Sequence, residues 1–73
     1  MSIKVEVGKR IRELRNSLGI SQEALANKAE IDRTYVTDVE NGRRNISIEN
    51  LAKIIKALNV EFKDFFNAPN FTL

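Results

Sequence analysis

Cysteine and histidine are both absent from these 73 residues, and proline occurs once, at Pro69. Without cysteine no disulfide can staple the chain and no thiolate is available to zinc. Without histidine a metal site would need carboxylates alone, and none of them cluster, so no metal or cofactor is expected. The same absences, with no glycine-rich phosphate loop and no paired carboxylates beside a nucleophile, argue against an enzyme. Long apolar runs are missing too: nothing approaches the roughly 18 residues of a membrane span. The opening MSIKVEVGKRIREL is charged throughout and lacks the core of a secretory signal. A soluble, cytoplasmic protein without membrane contact is expected, and the lack of cysteine fits a reducing compartment.

What remains is one small domain, near the lower size limit for folding on an apolar core alone. The net charge of +2 is modest, but it is unevenly placed: residues 1–20 carry +3, residues 21–42 carry −3 and residues 43–58 carry +3. Such blocks are compatible with ordinary solvated helix faces. They also fit two phosphate-gripping edges around a central reading head, and charge alone does not decide.

Period-two strand patterns are absent, and helical signals recur. Val7, Ile11, Leu14 and Leu18 form an apolar stripe over 5–18, which Gly19 ends as a left-handed C′ residue. Ser21 is an N-cap, with Ile20 and Leu25 in the staple positions around it. A second helix thus runs from Gln22 to Ala29. Asp32 and Gly42 bracket a third at 33–41. Ser47, with Ile46 and Leu51, repeats the capping device before a fourth helix that carries Leu51, Ile54, Ile55 and Leu58. Ser21 and Ser47 therefore read as caps rather than nucleophiles. A short fifth helix is expected over Glu61–Phe66, and NAPNFTL reads as a tail. Helices two and three are joined by Glu30, Ile31 and Asp32, with Ile31 directed inward and small Ala26 at the crossing. This is the pattern of a helix-turn-helix.

Advancing about 100° per residue along helix three puts Tyr35, Val36 and Val39 on one side. Arg33, Thr34, Thr37, Asp38 and Asn41 occupy the other. Arg33 at the helix N-terminus suits guanine O6 and N7. Thr34 and Thr37 offer hydroxyls, and methyls that fit against thymine. Asp38 either accepts from cytosine N4 or repels wrong registers. Glu40 falls within the edge of the apolar side, where an unpaired carboxylate is expensive; Arg10 and Arg15 both border the stripe of helix one and could pair with it.

The run LGISQEALANKAEIDRTYVTDVENG, with its Ser-Gln-Glu opening, Leu25-Ala26 pair and Glu40-Asn41-Gly42 ending, resembles the Cro/C1-type helix-turn-helix family of phage repressors and their bacterial relatives. Within that family, Asp32-Arg33-Thr34-Tyr35, Glu40 and Arg44-Asn45 are similar to the controller proteins of restriction–modification systems. The resemblance covers about residues 7–60. It implies an all-α, lambda-repressor-like bundle of five short helices over residues 1–66, with a short tail at 67–73. It also implies a transcriptional regulator that binds double-stranded DNA as a homodimer on a near-palindromic operator.

Residue by residue, the resemblance assigns base reading to Arg33, Thr34 and Thr37. Phosphate contacts fall to Gln22, with the N-terminus of helix two, and to Tyr35, Asn41, Arg43, Arg44, Asn45 and Ser47. It selects Arg15 as the partner of Glu40. Two departures stand out: Glu30 occupies a turn position often held by glycine, and Asn27 stands where a second acid is expected. Glu23 matches one acid used toward the sigma subunit of RNA polymerase. Four phenylalanines lie close together at the C-terminus. Phe62 and Phe65 are expected to complete the monomer core, and a dimer interface is expected from Val60, Phe62, Phe65 and Phe66. The rival reading is an antitoxin-like or phage-type repressor whose main role is to bind a protein partner, although residues 67–73 are barely long enough for a neutralising tail.

Overall fold

The first helix starts earlier than its apolar stripe suggests. In the computed structural model, which describes residues 1–72, α1 spans Ile3–Leu18, with Ser2 as an extended N-cap. Val7 and Ile11 of its stripe are buried, but Leu18, beside the chain reversal at Gly19, stays 41% exposed. Gly19 adopts the left-handed conformation (φ 71°) that ends the helix, its N–H bonding back to Asn16.

Helix α2 (Gln22–Ala29) begins at Ser21, whose hydroxyl accepts the Ala24 N–H at 3.0 Å. Helix α3 (Arg33–Glu40) follows after a tight turn. The turn is closed by Ile31 N–H on the Ala26 carbonyl (2.9 Å), with Glu30 in the left-handed region at φ 56°. A side chain there costs about 1 kcal/mol more than glycine would. Asp32 holds the N-cap position of α3 with extended backbone, but its carboxylate makes no capping hydrogen bond. Helix α4 (Ile48–Ala57) is capped by Ser47, whose hydroxyl accepts Asn50 N–H at 3.1 Å, and α5 (Phe62–Phe66) completes the bundle. No strand occurs among the described residues.

The core is shared by every helix: Ile11, Leu25, Val36, Val39, Ile54, Ile55, Leu58 and Phe65 are all essentially inaccessible to solvent. Each such side chain contributes about 1.5–3 kcal/mol on burial. Helix α3 packs on both α1 and α2. The approach to α1 requires Gly8: a Cβ there would overlap the Val39 carbonyl oxygen and lie 3.1 Å from that of Glu40.

Two expectations about the C-terminal third need correction. Residues Pro69–Phe71 form a 3-10 turn that packs on α1, so this part of the segment read as a tail is folded; Leu73 lies outside the described residues. Phe71 stacks near Phe65 and Phe66, at centroid distances of 6.0 and 5.0 Å. Asn70 also reaches Glu6 on α1 (Nδ2 to Oε1, 3.4 Å). Phe65 does complete the core, but Phe62 is 50% exposed; Phe71 takes the place beside the core that Phe62 was expected to fill.

Candidate nucleic-acid interface

Helix α3 owes its placement to Glu40. Its carboxylate is withdrawn from solvent and receives four N–H groups. Oε2 accepts Arg15 Nε at 2.7 Å, while Oε1 accepts Arg15 Nη2 at 3.0 Å, Gln22 Nε2 at 3.0 Å and Arg12 Nε at 3.2 Å. Burial pushes this carboxyl upward. The hydrogen bonds from Arg15, Gln22 and Arg12, with the charge of Arg15, outweigh it and hold the group below the usual carboxylate range. Glu40 in turn raises the Arg15 guanidinium above its ordinary value by hydrogen bonding, against the opposing effect of burial. Arg15 also donates to the Ile20 carbonyl at 2.9 Å. The C-terminal end of α3 is thus tied to α1, to α2 and to the loop between them.

Arg10, the other candidate partner of Glu40, serves the opposite end of the chain. Its guanidinium donates to the carbonyls of Phe65 (2.8 Å) and Asp64 (2.7 Å) and pairs with Glu13. Arg12 was not picked out in the sequence. It lies one turn from Arg15 on the same face of α1, the i,i+3 spacing that brings two side chains together. Besides Glu40 it donates from Nη2 to Asn41 Oδ1 at 2.9 Å, and its side chain remains 46% exposed.

The outer face of α3 carries Arg33 and Thr34 exposed, and Thr37 and Asp38 half-buried. Thr37 donates its hydroxyl to Gln22 Oε1 at 2.9 Å. Gln22, assigned to a phosphate, therefore already bridges two residues of α3, which leaves one Nε2 hydrogen uncommitted. Asp38 lies 4.0 Å from Arg43, a loose pair that neutralises the only acid on this face. The loop after α3 exposes Arg43, Arg44 and Asn45.

Tyr35 leans the other way, under that loop. The Arg44 guanidinium sits 4.6 Å from its ring centroid, and its hydroxyl accepts the Ser47 N–H at 3.3 Å. Burial raises the phenol, but hydrogen bonds with Asn50 and Ser47 and the charge of Arg44 bring it below its ordinary value. Asn41 turns its oxygen toward Arg12, so its amide hydrogens are left for an acceptor. Ser47 Oγ is engaged as the cap of α4. The result is a short helix that packs Val36 and Val39 into the core and turns a polar outer face away from it, flanked by cations from α1 and from the loop after α3.

A helix-turn-helix family model matches residues 11–65, from the middle of α1 to α5. The chain belongs to the helix-turn-helix family. Among relatives of this helix-turn-helix protein is control protein C.BamHI of Bacillus amyloliquefaciens, 42% identical over 67 residues that cover 90% of this chain and 83% of the relative. The crystal structure of the restriction–modification controller protein C.AhdI from Aeromonas hydrophila superposes with a TM-score of 0.85 at 44% identity, covering 90% of this chain and all of the other. The controller protein C.Esp1396I, solved as a tetramer in complex with its natural 35 base-pair operator, superposes at 0.83 with 38% identity over 86% of this chain and 83% of that one.

The expected dimer residues fare differently from one another. Val60 is half-buried, Phe62 and Phe66 are exposed at 50% and 39%, and Phe65 is wholly inside. Phe65 therefore supports the surface from beneath and cannot itself meet a partner. Phe66 shares a shallow cleft of about 200 Å³ with Ile3, Lys4, Val7, Asn45, Ile46 and Leu51. Ile3, itself 56% exposed, extends the apolar surface onto the first turn of α1, where sequence periodicity carried no signal.

Proposed function

We propose that this protein is a sequence-specific DNA-binding transcriptional regulator, the controller of a restriction–modification system, acting as a homodimer on a near-palindromic operator. The observation that carries this is the outer face of α3. Arg33, Thr34 and Thr37 stand there on a helix braced through Glu40 to two other helices. The three relatives named above are control or controller proteins matched over four-fifths or more of their length, and one of them is described in complex with its operator.

In this reading α3 lies in the major groove. Arg33 makes paired N–H bonds to a guanine, and Thr34 and Thr37 add weaker discrimination. Arg43, Arg44, Asn45, Asn41, Arg12 and the start of α2 lie along the phosphates, which supplies affinity without sequence choice. Two such heads, about 34 Å apart, read successive turns of one DNA face. Exposed Glu23 on α2 is the contact offered to the sigma subunit of RNA polymerase, without a second charge from Asn27. The protein works in the cytoplasm with its DNA; no helix among the described residues is long and apolar enough to cross a membrane.

Selection of bound duplexes from a random pool tests this reading. Two symmetric half-sites with centres one DNA turn apart are expected, and a pool without enrichment would remove the proposal. On the selected duplex, Arg33→Ala should cost about 1–3 kcal/mol and relax one base position per half-site. Arg44→Ala should weaken all duplexes alike and reduce the salt dependence by about one unit of slope.

A further inference from the structure

A free threonine hydroxyl is ambidextrous: it rotates to donate to guanine O6 or thymine O4, or to accept from the amino group of adenine or cytosine. Thr37 is not free. Its Oγ1 lies 2.9 Å from Gln22 Oε1, and Gln22 Nε2 lies 3.0 Å from Glu40 Oε1. The polarity of this chain follows from its buried end. Arginine side chains stay protonated, and two of them hydrogen-bond Glu40, so its carboxylate is ionised and can only accept. The Gln22 carboxamide must then turn its nitrogen toward Glu40 and its oxygen toward Thr37. That oxygen also can only accept, so the bridging hydrogen has to be the hydroxyl hydrogen of Thr37.

We propose that Gln22 is a specificity-determining positioning residue: by taking the Thr37 hydroxyl hydrogen, it presents Thr37 to the major groove as an acceptor that selects an exocyclic amino group, N6 of adenine or N4 of cytosine. This rests on the reading of Thr37 as a base-facing residue. A carbonyl placed where the amino group belongs meets the lone pairs of Thr37, and the hydroxyl cannot turn without abandoning Gln22. Information about the base is thus set by residues on α2 and at the far end of α3 that touch no base.

The test uses the full chain and the duplex it selects from a random pool. Thr37→Val keeps the shape of threonine without the hydroxyl, and locates the base pair it reads by altering discrimination at one position per half-site. At that position the amino group is exchanged for a carbonyl, hypoxanthine for adenine or uracil for cytosine, with the opposite base changed to keep pairing. Wild type should lose about three- to tenfold more affinity on this exchange than Thr37→Val does. Gln22→Met fills similar space without a hydrogen-bonding head and frees the hydroxyl to donate, so its loss should fall to that of Thr37→Val.

A Gln22→Met protein that penalises the carbonyl as strongly as wild type overturns the polarity role and leaves Thr37 a base reader. So does a loss spread evenly over all duplexes, the mark of a merely structural Gln22. If Thr37→Val changes no position, the base reading itself fails and takes the inference with it. Should Gln22→Met not fold, the wild-type comparison decides: tolerance of the carbonyl equal to that of Thr37→Val overturns the proposal.

Discussion

A carboxylate taken out of water costs several kcal/mol unless donors and cations replace its hydration, and Glu40 obtains four N–H groups from three side chains. Replacing it by glutamine leaves Arg15 and Arg12 facing an uncharged group. The expected loss is about 2–3 kcal/mol, or roughly 10–20 °C in melting temperature for a domain of this size. The pH dependence has a definite sign. The folded-state pKa of Glu40 lies below its unfolded value, about 4.3, so its contribution is complete above that value. It is lost as pH falls through the lower, folded pKa. Melting curves of wild type and Glu40→Gln should therefore differ most near neutrality and converge as the solution is acidified below about pH 4. A constant difference across that range would mean that Glu40 is not ionised in the fold.

Helices meet through backbones as well as side chains, and the crossing of α1 and α3 is the clearest case. A glycine inside an exposed helix gains about 1 kcal/mol on replacement by alanine, yet Gly8→Ala should do the reverse. Its methyl would displace the Val39 carbonyl, costing about 3 kcal/mol and tilting the recognition helix. Thermal unfolding gives the sign directly. The turn between α2 and α3 offers the opposite test. Glycine at position 30 removes the penalty of a side chain at φ 56°. After allowance of about 0.4–1 kcal/mol for the freer unfolded chain, Glu30→Gly should gain no more than about 0.6 kcal/mol, read as a slightly higher urea midpoint at unchanged slope.

These elements also show what a linear sequence carries. The capping units around Ser21 and Ser47 are local, each written within six residues, and they placed α2 and α4 without tertiary information. Nothing local marks Gly8, because its reason lies 31 positions away, at Val39. The 3-10 turn at Pro69–Phe71 has no period of its own and is ordered by contact with α1 and the phenylalanines. Gln22 could be matched to a phosphate-binding position, but its link to Thr37 and Glu40 joins residues on two helices that only the folded chain brings together.

At the scale of the whole molecule, the reading head is too small to act alone. A stable interface buries about 800 Å² on each partner, roughly one-sixth of the 4631 Å² that this chain exposes. The exposed apolar side chains Ile3 and Phe66, which line one cleft, are the centre we propose for it. Pairing through this surface would have a regulatory consequence. When dimers bind the operator and monomers do not, occupancy at low concentration rises with the square of the protein concentration, so a modest change in level gives a steep response. Ile3→Glu sits in the first turn of α1, away from the buried core, and should leave the fold intact. It should turn a dimer at micromolar concentration into a monomer by sedimentation, and weaken operator binding far more than Arg44→Ala does. Phe66→Glu should do the same with some loss of stability, because Phe66 also packs edge-on against Phe65 at 4.9 Å. A dimer that survives both substitutions must be held by another face, and the steep concentration response would then be insensitive to either change.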